Sequence, residues 1–100
     1  MKAFNFELHN KVIEQIENNP ENWNQFVWDK KSCRCYGGWA LTLAGLKINR
    51  GEARFDAQRV LGLTTLEVFY AFDPNKILEE LKNLPEYIKL NRESMENERI

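Results

Sequence analysis

One hundred residues with 43% hydrophobic and 12% aromatic content suffice for one domain with a real core, and they exclude a disordered chain. A formal charge of −1 gives no overall field for a polyanion or an anionic membrane, and two cysteines one residue apart are not a secreted disulfide framework. Residues 1–50 carry seven Lys/Arg against five Asp/Glu, and residues 51–100 seven against ten, an asymmetry too small to imply a nucleic-acid partner.

Along the chain, Phe4, Phe6 and Leu8 alternate, as in a short extended N-terminal arm. Val12, Ile13 and Ile16 then recur at helical spacing. Asn19 and Pro20 stop that helix and open a second, with Trp23, Phe26 and Val27 on one face and Trp28 at its end. The segment at about 36–46 is apolar nearly all round, the pattern of a buried central helix. On it Trp39, Leu43 and Leu46 form a bulky stripe, and Gly37, Ala40 and Ala44 a small one that admits a neighbouring helix. Residues 47–55 read as a loop. Asp56 is expected to cap the next helix, with Phe55 against Val60 as a staple and Gly62 as its left-handed stop.

Thr64 and Glu67 then form a capping box for a helix through Phe72. Asp73-Pro74 opens a further helix bearing Ile77, Leu78, Leu81 and Leu84, and Pro85 interrupts it or opens the last segment. The expected fold is all-α: a single domain over 1–91, of five or six short helices around the central one. Residues 92–100 are expected to be a polar tail or exposed helix end.

The chemistry-bearing residues are few. Cys33 and Cys35, with the lone His9, offer at most three soft ligands, whereas a closed zinc site needs four. Cys35 precedes an apolar helix beside Lys30, Lys31 and Arg34, which would favour a thiolate, but the Cys-x-x-Cys spacing of a redox site is missing. A small buried thiol behaves as a hydrophobe, which is the simpler reading. Gly37-Gly38 at a helix start lacks the strand and the Lys-Ser/Thr of a phosphate loop. Residues 56–72 have the rhythm of a helix-turn-helix. Their second helix, however, offers mostly apolar groups and Glu67 where base edges call for Arg, Lys, Asn or Gln. No nucleophile elbow, carboxylate–metal cluster or nucleotide fingerprint is present, so neither an enzyme nor a cofactor is expected.

The aromatic excess is the remaining signal. A helical domain this small cannot bury every ring. Exposed rings beside Lys30, Lys31 and Arg34 would resemble a protein-binding hot spot, with Trp28 and Tyr36 as further candidates.

These residues also carry a resemblance. The order is Ile16, Pro20-x-x-Trp23-x-Gln25-x-x-Trp28, Cys35-x-Gly37-Gly38-Trp39-Ala40, Ala44-Gly45, Ala57-x-x-x-Leu61-Gly62-Leu63-Thr64 and Phe69–Phe72. It resembles a set of small uncharacterised helical proteins of actinobacteria, cyanobacteria and their phages. The likeness covers residues 16–72, and the Cys-x-Gly-Gly-Trp-Ala element is its most specific part. Those relatives often carry a first cysteine where this chain has Lys30. The resemblance implies a helical fold and a phage-like setting but supplies no activity.

The expected function is therefore a small non-enzymatic protein-binding module, acting on an unidentified protein, such as one of a host, or on a second copy of itself. The alternatives are a nucleic-acid-binding regulator through residues 56–72 and a thiol or metal site at Cys33 and Cys35. Met1–Asn10 lacks the apolar core of a signal peptide, and Tyr36–Leu46 is about half a membrane span, so a cytoplasmic protein without membrane contact is expected.

Overall fold

Asn5 decides where the first helix begins. Its side-chain oxygen accepts the Leu8 N–H at 3.0 Å, so α1 runs Phe6–Asn18 with Leu8, His9, Val12, Ile13 and Ile16 inward. The alternation of Phe4, Phe6 and Leu8 therefore makes no strand, because Phe6 and Leu8 are already helical. The computed structural model describes residues 3–98, so Met1, Lys2 and the last two residues of the expected tail lie outside the described residues.

Beyond α1 there is a single 3-10 turn, Pro20–Asn22, and then no second helix. Residues 23–35 form an irregular loop. Arg34 N–H donates to the Asn22 carbonyl at 3.1 Å, and Asn24 N–H to the Arg34 carbonyl at 3.1 Å. Lys30 and Cys33 exchange backbone hydrogen bonds of 3.0 Å around Lys31, whose φ is +56°. The expected helical face at Trp23, Phe26 and Val27 fails because Asn24 takes the Phe26 N–H on its side-chain oxygen, turning the chain locally.

The central helix α2 is shorter than expected, Tyr36–Leu43. Gly45, at φ +79°, ends it, and Leu46 N–H closes back on the Leu41 carbonyl at 2.9 Å. The face read as a buried bulky stripe is turned outward: Leu43 and Leu46 are exposed and Trp39 is half-buried. Tyr36, Gly37, Gly38, Ala40 and Leu41 are the buried residues, and Ala44 is exposed.

Helix α3 spans Ala53–Leu61 and starts at Glu52, not at Asp56. Asp56 instead meets Arg59 one turn on at 3.1 Å, and Phe55 points to solvent, so no staple forms. Gly62 stops α3 at φ +70°, and α4, Thr65–Ala71, follows through the expected capping box: Glu67 accepts the Thr64 N–H at 2.8 Å and Thr64 accepts the Glu67 N–H at 3.3 Å. Asp73 and Pro74 open a turn instead of a helix. The Asp73 side chain accepts Asn75 N–H at 2.9 Å and its carbonyl accepts Lys76 N–H at 3.1 Å, so α5 covers only Leu78–Lys82. Pro85 lies in the first turn of α6, Leu84–Glu98, which continues as helix into the expected tail as far as Glu98.

The result is all-helical, as expected, with six α-helices among the described residues. The inner face of α1 packs with Tyr36 and Ala40 of α2, Leu61 of α3, Val68 and Ala71 of α4, and Leu81, Leu84 and Ile88. Leu41, Ala53 and Ala57 join α2 to α3 in a second small cluster. Among the described residues, no helix is long and apolar enough to cross a membrane.

Candidate functional site

The loop over residues 23–35 is held by one buried side chain, Gln25. Its oxygen accepts Trp23 Nε1–H at 3.1 Å and Tyr36 N–H at 3.0 Å. Its amide donates to the Ala71 carbonyl at 3.0 Å and the Asp73 carbonyl at 3.2 Å. All four capacities of the amide are used, so one neutral residue joins the loop, the start of α2 and the end of α4.

The glycines of α2 make room for this loop rather than for a helix. A Cβ on Gly37 would stand 2.6 Å from the Trp28 ring, and one on Gly38 would run into the Trp28 carbonyl oxygen and lie 3.1 Å from Arg34 Cβ. Trp28 is thereby pressed onto α2, with its ring edge-on to Phe72 at 5.5 Å between centroids. Trp39 holds the same loop from its other end, donating Nε1–H to the Asn22 carbonyl at 3.0 Å.

Seating Trp28 inward leaves its neighbours outward. Phe26 is 72% exposed on one side and Phe69, from α4, 63% exposed on the other. Trp28 is shared by three shallow clefts. One of about 420 Å³ is lined by Arg54, Phe69, Phe72 and Pro74, and one of about 270 Å³ by Phe26, Lys30 and Arg50. The third, about 150 Å³, lies between Phe26 and Phe72. Arg54 lies over the Phe69 ring at 5.1 Å, and Arg50 donates to the Asp29 carbonyl at 3.1 Å.

The candidate binding residues separate on this surface. Trp28 and Lys30 line the clefts, and Lys31 is exposed at the tip of the small turn. Arg34 folds back, 3.3 Å from the Asp29 carboxylate and over the Trp39 ring at 4.9 Å. Tyr36 is not a surface residue at all: it is fully buried and shares a 2.8 Å hydrogen bond with His9 Nδ1. Its place at the first turn of α2, facing α1, is what removes it from any interface. Burial lowers the His9 pKa to about 4 and raises that of Tyr36, so both stay neutral near pH 7.

The thiols are divided as well. Cys35 is the N-cap of α2, its sulfur accepting Gly38 N–H at 3.4 Å; burial pushes its thiol up, and the backbone N–H groups offset this only in part. Cys33 is half-buried and donates to the Glu21 carbonyl at 3.4 Å. Among the described residues, no three His, Cys, Asp or Glu side chains gather in a group that could hold a metal. Gly62 is packed so closely that a Cβ would strike the Ala3 carbonyl. Ala40, fully buried, joins the main core.

Two features escape a linear reading. Glu67, read from the sequence only as the capping-box partner of Thr64, is 2% exposed and takes Arg92 Nε–H at 2.9 Å and Nη2–H at 2.7 Å; Nη2 also donates to the Gly62 carbonyl at 2.8 Å. Burial alone would raise the Glu67 pKa, but hydrogen bonds and charge from Arg92, with the Thr64 N–H, outweigh it and hold the carboxyl low. Arg50, Arg54 and Phe69 are the other surprise. Nothing in their local spacing joins them to Trp28; only the packing of α3 and α4 against the loop does so.

The outward side of α4 presents Leu66 and Phe69, one turn apart, which offer no hydrogen-bonding groups to base edges. No protein-family model matches the chain, and no curated protein or solved structure was found to be similar to it.

Proposed function

We propose that this chain is a small non-enzymatic protein-binding module that uses the surface around Trp28. In this reading it is a cytoplasmic auxiliary protein of the phage or cyanobacterial kind its motifs resemble. The observation that carries the reading is the exposure of Phe26 and Phe69 on either side of clefts that share Trp28. Exposed aromatic rings with neighbouring Arg are the composition of binding hot spots, and contiguous apolar clefts are what a partner side chain fills. The buried polar groups serve the fold: Cys35 caps α2 and His9 pairs with Tyr36.

The test is affinity capture from a host lysate with the wild-type chain and with Phe26→Ser/Phe69→Ser, after matching thermal melts. A protein retained by the wild type and lost by the variant is the expected result. Identical retention on both, or a partner that stays bound when only these rings are removed, would overturn the assignment. Light scattering at several concentrations tells whether that partner is a second copy.

A further inference from the structure

We infer that the segment this surface takes is acidic as well as apolar: a stretch of a partner protein in which carboxylates flank a bulky aliphatic or aromatic side chain. This rests on the protein-binding reading above and adds the partner's chemistry. The argument is one of charge. Lys11, Arg34, Arg59, Lys76, Lys82 and Arg92 each stand within ion-pair distance of a carboxylate of the chain itself. Among the described residues Lys30, Lys31, Lys47, Arg50, Arg54 and Lys89 have no carboxylate partner, and three of these, Lys30, Arg50 and Arg54, line the Trp28 clefts. Of the nearby acids, Asp29 is paired with Arg34, while Asp73 accepts Asn75 N–H and keeps its charge at the edge of the larger cleft.

Positive charge without an internal partner therefore borders the apolar clefts on both sides of Trp28. A carboxylate arriving there would gain a charge-assisted hydrogen bond without displacing an existing one. Arg54 is poised for this, since its guanidinium is laid on Phe69 rather than spent on an anion. A protein segment fits better than a single-stranded nucleic acid. Arg54 already lies over the Phe69 ring that a base would stack on.

The experiment selects from a display library of short random peptides against the full chain, with Arg50→Glu/Arg54→Glu and Phe26→Ser/Phe69→Ser in parallel. Fluorescence anisotropy then measures the enriched peptides and an oligo-dT probe. The expected result is a consensus of Asp or Glu around Leu, Ile or Trp, with binding that weakens as salt rises and falls roughly tenfold or more in the charge-reversed variant. Enriched peptides without acidic residues, bound equally by Arg50→Glu/Arg54→Glu, would overturn the acidic partner and leave the protein-binding reading standing. No enrichment over Phe26→Ser/Phe69→Ser would overturn both. Tighter binding of oligo-dT than of any peptide, lost on charge reversal, would also overturn both. All of these variants change exposed side chains, and circular dichroism melts confirm that each is folded.

Discussion

Two buried polar side chains hold the two ends of α4, and they do it in different ways. Glu67 is a charge taken out of water and answered by another charge, Arg92, from a helix 25 residues further on. Gln25 is neutral and answered by backbone and indole groups from three segments. The charged clasp fixes α4 to α6 and to the Gly62 turn, with the Glu67 carboxylate buried. The neutral staple fixes a loop with no regular structure, and the cost of seating Trp28 is that Phe26 and Phe69 stay in water. Around the loop held by the neutral staple, Lys30, Arg50 and Arg54 have no carboxylate partner among the described residues, and Phe26 and Phe69 stay exposed.

Arg92→Ala should separate the two most strongly. It strands Glu67 as an uncompensated buried charge, for a loss of about 3–5 kcal/mol in urea unfolding. The loss should shrink in acid, where Glu67 takes a proton. Gln25→Ala should cost about 2–4 kcal/mol by unpairing several buried groups at once. That loss should be the same at every pH; a strong pH dependence would break the contrast with Glu67.

The wild type should itself be acid-labile, from the same clasp and from the His9–Tyr36 pair. His9 titrates at about 4 when folded, against 6.5 unfolded, so its contribution is complete above pH 6.5 and is lost as pH falls towards 4. The size is up to about 3 kcal/mol, and His9→Gln should flatten that stretch of a plot of urea midpoint against pH. Glu67, whose folded pKa is lowered, contributes above the ordinary carboxylate range and loses this as pH falls through its folded value. It should leave a separate, more acidic fall in His9→Gln.

Gly38→Ala comes next, at about 1–3 kcal/mol, since the obstacle is the Trp28 main chain and must move with the whole loop. Intrinsic tryptophan fluorescence should shift with it, and an unchanged spectrum and melt would refute the close loop contact. The smallest stability effect belongs to Arg50→Glu/Arg54→Glu, within about 0.5 kcal/mol, although it should have the largest effect on binding.

Much of the helical framework could be read from the residues alone. Pro20 stops α1, Gly62 ends α3 in the left-handed region, Thr64 and Glu67 cap α4, and Pro85 sits at the start of α6. Each of these depends on neighbours within about one turn, where sequence distance and spatial distance agree. Residues 23–28 carry rings at helical spacing and yet form part of a loop, because its shape depends on Gln25 reaching Ala71 and Asp73. Gly37 and Gly38 announced a close approach but not its partner, which is Trp28 and not a helix.

Tyr36 and Glu67 each carry a polar group usually found at a surface, and only the packing of α1 and α6 over them made them interior. The candidate surface was half legible: Trp28 and Lys30 could be named, and Arg50, Arg54 and Phe69 could not. Local chemistry wrote the caps and stops into the sequence. Which polar groups became buried, and which rings and cations were left facing water, was decided by contacts between segments that meet only when the chain folds.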